Sequence, residues 1–352
     1  MNGKMRAIVA RGGDNYKIEE VEIPKPGEGE ILCRVKACAL CGSDPGLFHG
    51  HYIERGWPPA YPFIFGHEWS GEVVELGSGV TSLKVGDRVA GEAHSGCGKC
   101  ENCRKGDYTL CLNYGKPESG HRHYGFTTNG AYAEYQVFTE KSCVKIPDDV
   151  SFDEATMCDT GGVALHALEV AHVNSSDYVA VFGPGPIGNL AVQEAKAKGA
   201  ITIMVGRRHR LQIAKESGAD YIVDYETCDP VEEIRKITGG RMADAAIEAA
   251  GSQTSVHNAI KSVKKNGYVA LIALTKEKDI YVPINDIVCD QIKVDGSRAN
   301  PNQSEEVLDL LNRKKIDTKH LITHVFPMEE IEKAIDIFEH KRDGAMKVII
   351  HP

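Results

Sequence analysis

The stretch YVAVFGPGPIGNLA, residues 178–191, decides how the middle of this chain folds. An apolar strand candidate leads into the pattern G-x-G-x-x-G, and a segment with helical periodicity follows it. In this context Gly183 makes a tight turn, Gly185 lets a pyrophosphate approach the backbone, and Gly188 lets the helix pack closely on the strand. The helix then begins at Pro186–Ile187, with its partial positive charge directed at the phosphates. The stretch therefore predicts a dinucleotide-binding unit.

The same alternation of strand and helix continues along the chain. Short apolar runs at 201–206, 221–225, 243–249 and 267–274 are separated by stretches with helical periodicity. Strands that alternate with helices in this way are typical of βαβ units and a parallel sheet. We therefore predict a doubly wound α/β domain over residues 151–295.

The end of the second strand of this domain bears on the choice of cofactor. Folds that bind NAD usually end this strand with Asp or Glu, whereas this chain has Gly206 followed by Arg207 and Arg208. A carboxylate would repel the extra phosphate of NADP, while glycine leaves room and an arginine can bind the phosphate with two hydrogen bonds. The sequence predicts a preference for NADP(H). A solvated basic turn without selectivity, and hence use of NAD, is the alternative, and either arginine could be the main contact.

The segments on either side of this domain have a different pattern. Residues 1–150 contain short runs of β-branched and aromatic residues separated by Gly, Pro and Asp, which favours a partly open barrel or a sandwich. Residues 296–352 contain two amphipathic helices and a closing strand. We predict that these two segments form one catalytic domain and that the dinucleotide fold is inserted between them.

A cysteine-rich segment, at about residues 95–112, has the spacing C-x2-C-x2-C-x7-C, formed by Cys97, Cys100, Cys103 and Cys111. Two residues between thiolates allow both to reach one tetrahedral Zn²⁺ at about 2.3 Å. Disulfides between cysteines this close would be strained, and the spacing differs from those of ferredoxin clusters. Four thiolates leave no open coordination position. The segment therefore predicts a structural zinc site.

Composition limits the function further. The 352 residues exceed one compact core, and a net charge of −9 argues against nucleic-acid binding as the main activity. No apolar run is long enough to predict a membrane-spanning helix, and the N-terminal residues lack the apolar region of a secretion signal. A cytoplasmic location is the default expectation. The 11 cysteines then favour metal binding over disulfides.

Two further motifs are weak alone: Cys41-Gly-Ser43-Asp44, and Gly66-His67-Glu68 downstream. Together with the cysteine segment and the glycine-rich fold, they extend over essentially the whole chain. In this combination the chain resembles the zinc-containing medium-chain dehydrogenases, which include alcohol, sorbitol and threonine dehydrogenases. The resemblance implies a GroES-like β-rich catalytic domain joined to a Rossmann domain, and dimers or tetramers built on the cofactor domains.

The resemblance also implies a set of ligands for a second, catalytic zinc ion. Cys41 and His67 match two family ligands, and the third lies just before the dinucleotide fold, where Cys158 and Asp159 compete. Family members carry this ligand seven residues before the position of His166, which selects Asp159. Glu68 is implied to enter the ligand sphere when substrate is absent. Three protein ligands leave one position on zinc for a substrate oxygen.

Other residues are implied to act beside this zinc ion. Ser43 matches a hydroxyl that contacts the substrate oxygen and passes its proton outward, although it could instead be a helix cap. Asp44 matches an acid that orients the zinc-bound histidine. One departure is Gly46, which stands where many relatives have the histidine at the outer end of the proton relay. His49 and His51 are nearby, but the sequence assigns the role to neither.

The leading hypothesis is an enzyme that transfers hydride between NADP(H) and a secondary alcohol or polyol, or the matching ketone. Similar bacterial enzymes carry a Gly-x-Arg here and a Tyr where Tyr225 stands. An NAD-linked polyol, sugar or cyclitol dehydrogenase of the same family is the alternative. A non-catalytic cofactor-binding protein and the zincless reductases are disfavoured, because every ligand position is filled. The loops 48–57 and 115–124 are rich in polar and aromatic residues that suit a polyhydroxylated substrate.

Overall fold

The computed structural model of the protein describes residues 3–275, 277 and 279–352. The chain forms two compact units. The first unit runs to Asp159 and resumes at Ser304–Asn312 and Leu321–Pro352, while the second comprises Thr160–Gln303 and Arg313–His320. The catalytic segment therefore continues past the predicted boundary at residue 150, because a short helix and the start of a long one still pack with the β-rich unit.

The N-terminal part of the first unit is built from short strands and three short α-helices. The strands are β1 (Lys4–Ala10), β2 (Tyr16–Glu22), β3 (Glu30–Ala39), β4 (Phe63–Ile64), β5 (Glu68–Leu76), β6 (Arg88–Gly91), β7 (His94–Ser95), β8 (Arg122–His123), β9 (Tyr135–Thr139) and β10 (Cys143–Lys145). The helices are α1 (Asp44–Phe48), α2 (Glu101–Lys105) and α3 (Phe152–Ala155).

The middle of the chain alternates strictly between helix and strand, as the sequence predicts. Its elements are α4 (Met157–Val170), β11 (Tyr178–Phe182), α5 (Pro186–Ala197), β12 (Ile201–Gly206), α6 (Arg208–Glu216), β13 (Tyr221–Asp224), α7 (Pro230–Ile237), β14 (Ala243–Glu248), α8 (Gln253–Lys261), β15 (Val263–Leu271), α9 (Ile284–Asp290) and β16 (Lys293–Gly296). The last elements of the chain are α10 (Ser304–Asn312), β17 (Ile322–Pro327), α11 (Ile331–Glu339) and β18 (Lys347–His351).

The main sheet of the first unit has the order β10-β6-β5-β3-β18-β17, and β9 also pairs with β3. In the antiparallel pair of β3 and β5, Ala39 lies opposite Glu68. In the pair of β3 and β18, Ala39 lies opposite Ile349, so the residues just after β3 lie beside the start of β18. This register brings three distant parts of the sequence to one end of the sheet.

The sheet of the second unit has six strands in the order β13-β12-β11-β14-β15-β16, all parallel. This is the strand order of a doubly wound dinucleotide-binding fold. Its two central strands are almost entirely buried because helices cover both faces of such a sheet. The predicted fold class, a β-rich domain combined with a doubly wound parallel sheet, is confirmed. In the described part of the chain, no helix has the length and apolar character needed to cross a membrane.

Candidate active site

Three metal-binding side chains meet at the end of the main sheet of the first unit. Cys41 follows β3, while His67 and Glu68 stand at the start of β5. One ligand atom from each of the three lies within 4.8 Å of the other two. His67 and Glu68 are buried, and Cys41 is half-buried. A thiol, an imidazole and a carboxylate at this spacing form a donor set that suits Zn²⁺.

Asp44 lies next to both Cys41 and His67 of this donor set. Its Oδ2 accepts hydrogen bonds from the backbone N–H of Cys41 at 2.8 Å and from the hydroxyl of Tyr132 at 2.7 Å. Its Oδ1 lies 3.8 Å from Nδ1 of His67. Burial disfavours the charged form of His67, but Cys41, Asp44 and Asp159 outweigh it and raise the pKa of His67 to about 10. The arrangement directs Nδ1 of His67 toward a carboxylate and leaves Nε2 for the metal side.

Lys347 forms a buried ion pair with Glu68, and both side chains are almost fully enclosed. The ammonium group also donates to the backbone oxygen of Leu40 at 3.2 Å. Burial alone would lower the pKa of Lys347, but Glu68, Cys41 and Asp159 together raise it. Lys347 is therefore charged. It neutralises Glu68, which is one of three acidic groups around it together with Cys41 and Asp159.

The structure separates the two candidates for the third ligand. The thiol of Cys158 is fully buried and points to the backbone oxygen of Gly91 at 3.6 Å. Asp159 lies in the first turn of α4, and its Oδ1 accepts a long hydrogen bond of 3.4 Å from the backbone of Ala93. Burial raises the pKa of Asp159 to about 6, with His67 opposing this effect. Asp159 thus lies beside the donor set. The carboxylate within 4.8 Å of the ligand atoms of Cys41 and His67, however, is that of Glu68.

Ser43 occupies the N-cap position of α1, but its side chain makes no capping hydrogen bond. Its Oγ is buried and has no hydrogen-bond partner among the described residues. A buried hydroxyl without a partner costs about 1–3 kcal/mol. The helix-cap interpretation therefore does not account for Ser43, whereas contact with a bound molecule does.

The structure shows what fills the space of the missing relay histidine. A Cβ atom on Gly46 would lie 2.6 Å from a ring carbon of Tyr52 and 3.1 Å from its hydroxyl oxygen. Both ring nitrogens of His49 contact carboxylates, those of Asp14 and of Glu339. His49 is therefore engaged on the surface of the first unit, and the ring of Tyr52 occupies the place beside Gly46.

A column of aromatic rings runs away from His67. The ring of Phe126 lies 4.7 Å from that of His67 and stacks on His123 at 3.9 Å, and His123 stacks on His94 at 3.8 Å. Trp57 meets the edges of both Phe126 and His123. The predicted loops 48–57 and 115–124 therefore come together next to the donor set, and through Trp57 and His123 they contribute rings that carry hydrogen-bonding nitrogens.

The four cysteines of the predicted structural site also converge. Their sulfur atoms lie within 4.8 Å of one another, and the pairs Cys97–Cys103 and Cys100–Cys111 are each 3.9 Å apart. A tetrahedron with Zn–S bonds near 2.3 Å places sulfurs about 3.8 Å apart. Backbone and side-chain N–H groups point at the sulfurs, including the Nδ2 of Asn113, which lies 3.3 Å from Cys97. The geometry fits one tetrahedral ion.

The glycine-rich stretch takes the conformation that the sequence predicts. Gly183 has a φ of 111°, and a Cβ atom on Gly188 would lie 2.0 Å from the carbonyl oxygen of Gly183. A Cβ on Gly185 would meet nothing within 4 Å, so the approach to the N-terminus of α5 is open. The stretch therefore fits a pyrophosphate at this end of the sheet.

Two polar side chains after β16 also fit a ligand. The amide of Asn300 and the hydroxyl of Ser297 are buried, and their polar atoms have no hydrogen-bond partner among the described residues. Both follow the carboxyl end of a parallel strand, which is where ligands bind in open α/β sheets. An amide can pair with the carboxamide of a nicotinamide ring, since each supplies a donor and an acceptor.

The end of β12 shows why residue 206 is a glycine. A Cβ atom on Gly206 would lie 2.5 Å from Cγ of Pro184, so packing requires glycine whatever cofactor is bound. Arg207 and Arg208 follow it, and both side chains turn to the carboxylate of Glu226. The ring of Tyr225 lies 5.8 Å from the guanidinium carbon of Arg207. The predicted phosphate-binding residues are thus brought together, with one acid among them.

Sequence reasoning missed Lys347, Tyr132, Tyr52 and Glu226. The one available signal was Lys347, a charged residue in the otherwise apolar run AMKVIIHP. Tyr132 and Glu226 reach their positions through contacts with residues distant in the sequence, and Tyr52 through the fold of its loop back onto Gly46.

Comparison with known proteins identifies the family to which this architecture belongs. Residues 27–148 match the model of the alcohol dehydrogenase GroES-like domain, and residues 186–313 match that of the zinc-binding dehydrogenases. The chain is 36% identical over 355 residues to a sorbitol dehydrogenase of Halalkalibacterium halodurans, with 99% of each chain covered.

Solved structures agree with this placement. A zinc-binding dehydrogenase of Sinorhizobium meliloti 1021 bound to NADP has a TM-score of 0.89 at 29% identity, covering 99% of this chain and 100% of its own. An alcohol dehydrogenase of Escherichia coli CFT073 complexed with NADH has a TM-score of 0.88 at 30% identity, covering 99% of both chains. The fold and the donor sets thus define a zinc-type oxidoreductase. The chain belongs to the zinc-containing medium-chain dehydrogenase family, and the predicted enzyme class, a zinc-dependent alcohol or polyol dehydrogenase using NAD(P), is confirmed.

Proposed function

We propose that this enzyme transfers hydride between NADP(H) and a secondary alcohol or polyol, or the matching ketone. Two zinc ions per chain support the reaction: a catalytic ion on Cys41, His67 and Asp159, and a structural ion on the four clustered cysteines. The buried donor set beside the unpartnered hydroxyl of Ser43 carries the proposal. Lys347 already pairs with Glu68, which favours Asp159 as the charged third ligand and leaves Glu68 as the exchanging one.

The residues around the proposed catalytic ion have different roles in the reaction. When bound, zinc acts as a Lewis acid that withdraws electrons from the substrate oxygen. Ser43 would contact that oxygen and relay its proton: during oxidation it would accept the proton while giving its own hydroxyl proton to water, and during reduction the transfer would run in reverse. Asp44 fixes the backbone of Cys41 with a hydrogen bond from one oxygen, and its other oxygen lies 3.8 Å from Nδ1 of His67, where its charge favours a proton on that nitrogen. A bound nicotinamide cofactor would accept the hydride from the substrate carbon during oxidation, or supply it during reduction.

The ring column next to His67 favours a polyol as substrate. Imidazole and indole groups offer hydrogen bonds to hydroxyls, and the hydroxyl of Tyr114 is hydrogen-bonded to Nδ1 of His123. The nearby Arg122 is held by Glu30 and by backbone oxygens, so it does not point to an anionic substrate. We therefore favour a neutral chain or ring of hydroxyls over a phosphorylated one.

A screen with paired substrates tests this assignment. We expect kcat/KM to be at least about tenfold higher for sorbitol or xylitol than for 2-butanol, because a hydroxyl-binding site discriminates against an analogue that lacks the hydroxyls. His123→Phe preserves a stacking ring and removes the hydrogen bonds. It should lower the polyol value about tenfold and change the 2-butanol value less than threefold. Equal losses for both substrates would show that His123 acts only on the fold.

The proposed preference for NADP(H) rests on Arg207, Arg208 and Tyr225, because packing accounts for Gly206 with either cofactor. In the double variant Arg207→Ala/Arg208→Ala, we expect KM for NADPH to rise about tenfold to a hundredfold while KM for NADH stays nearly constant, since only NADPH carries the additional phosphate. Initial rates with each cofactor measure both values. The same loss with NADH and NADPH would contradict phosphate recognition. Glu226 beside these arginines favours the second candidate, an NAD-linked polyol, sugar or cyclitol dehydrogenase.

A face of the second unit suits a further copy of the chain. Tyr281, Ile284 and Val288 are exposed apolar side chains, and Tyr281 is 81% exposed. They lie close in sequence to β16, which forms one edge of the parallel sheet in the described part of the chain. Exposed apolar groups near an unpaired strand edge are typical of an interface. We propose a homodimer through this face, from which a tetramer can be built.

A further inference from the structure

Two arginines and one acid form a compact group at the carboxyl ends of β12 and β13. Nη1 of Arg207 lies 2.9 Å from Oε1 of Glu226, and Nη2 of Arg208 lies 3.3 Å from the same oxygen. The backbone N–H of Glu226 donates to Oδ1 of Asp224 at 2.9 Å, which fixes the turn that presents this acid. Hydrogen bonds from Arg207 and Arg208 lower the pKa of Glu226, so the carboxylate is charged at neutral pH.

The backbone next to this group restricts where an acid can stand. Gly206 lies opposite Asp224 in the pairing of β12 with β13. A side chain on residue 206 would collide with the ring of Pro184, which belongs to the glycine-rich turn and cannot swing aside as a flexible side chain would. The acid that ends this strand in NAD-binding folds is therefore excluded here. Glu226 presents a carboxylate from the neighbouring strand instead.

The two cofactors make opposite demands on this group. The 2′-phosphate of NADP carries roughly −1.5 to −2 charges, as phosphate monoesters do, and binds best to arginines that are free to form paired hydrogen bonds. It must displace Glu226 or share the arginines with it. The ribose of NAD has two hydroxyls at this place, and a carboxylate accepts hydrogen bonds from them.

We propose that Glu226 sets the balance between the two cofactors, competing with the 2′-phosphate of NADP for Arg207 and Arg208 and accepting the ribose hydroxyls of NAD. This inference rests on the cofactor site of the proposed function, but it does not depend on which cofactor the wild-type enzyme prefers. It assigns the enzyme a lower selectivity for NADP than its two arginines alone would give.

Glu226→Gln tests the proposal, because glutamine keeps the size of the side chain and removes its charge. We expect the dissociation constant of NADPH to fall about tenfold and that of NADH to stay constant or rise up to about threefold. Fluorescence titration of the zinc-loaded enzyme measures both constants, and kcat/KM ratios measure the same preference during turnover. Glu216→Gln on α6 is the matched control: it makes the same change in net charge, and its partners are Gln212 and His320.

A second measurement, made in a variant that lacks both arginines, completes the test. In the Arg207→Ala/Arg208→Ala background, Glu226→Gln should no longer tighten NADPH, since the groups for which the acid competes are gone. The proposal is wrong if Glu226→Gln weakens NADPH, changes both cofactors equally, or moves their ratio no more than the Glu216→Gln control. A wild-type enzyme that prefers NADH would overturn the NADP preference of the proposed function. The shift in ratio caused by Glu226→Gln would still decide the role of Glu226.

Discussion

Replacing Cys41 by serine is expected to remove one of two zinc ions per chain and to lower kcat/KM by about 1000-fold or more. The loss follows because a Lewis acid stabilises the charge on the substrate oxygen by several kcal/mol, and each 1.36 kcal/mol is a factor of ten in rate. The four clustered cysteines lie elsewhere in the first unit and keep their ion. Elemental analysis of the purified protein, together with steady-state rates, measures both effects.

Cys158→Ser is the matched control for this substitution. It makes the same chemical change at the buried thiol that points to the backbone of Gly91, so both zinc ions and most of the activity should remain. Asp159→Asn is expected to lower the zinc content of the site, and Glu68→Gln to leave it nearly unchanged. Wild-type protein with fewer than two zinc ions would contradict the assignment. Loss of an ion from Cys158→Ser would exchange the roles of Cys158 and Asp159.

Replacing Lys347 by methionine is expected to destabilise the first unit by about 3–5 kcal/mol, the usual cost of removing one partner of a buried ion pair. Methionine fills a similar volume, but it leaves the carboxylate of Glu68 buried without its cation. For a unit of this size the unfolding midpoint should fall by roughly 6–20 °C. Thermal unfolding followed by circular dichroism measures the shift in the zinc-loaded protein.

Lys105→Met provides the comparison, since Lys105 pairs with Glu101 on an exposed helix surface. Such pairs contribute at most about 0.5 kcal/mol, so its midpoint should stay within about 2 °C of the wild type. The double variant Lys347→Met/Glu68→Gln should recover much of the lost stability, because no buried charge is left unpaired. An unfolding midpoint of Lys347→Met equal to that of Lys105→Met would show that Lys347 does not stabilise Glu68.

Local patterns were sufficient for the fold class, and they identified the four-cysteine segment, for which a structural zinc ion stays a prediction. Cys100 caps a short helix, Cys103 lies within it, and Cys97 and Cys111 flank it, so the four thiols are close in the sequence before they are close in space. The glycine stretch likewise records its own geometry, since Gly183 needs a positive φ and Gly188 a close backbone contact. The alternation of strands and helices predicted the parallel sheet for the same reason.

The choice between candidate ligands depended on contacts that the sequence does not contain. Asp159 was selected by counting back from His166, and it stays a prediction. The structure adds that Cys158 points away to Gly91 and that Glu68 is already paired with Lys347. Neither contact follows from the residues around positions 158 and 68.

The sequence by itself determined which chemical groups this enzyme has: two sets of candidate zinc ligands, a glycine-rich turn and a pair of arginines. The tertiary structure decided which of these groups are neutralised and by what. Lys347 reaches Glu68 only because β18 pairs with β3, and Glu226 reaches the arginines only because β13 pairs with β12. Sheet pairing joins residues that lie far apart along the chain, and a charge acts on whatever lies within a few ångströms of it, whatever the distance in sequence.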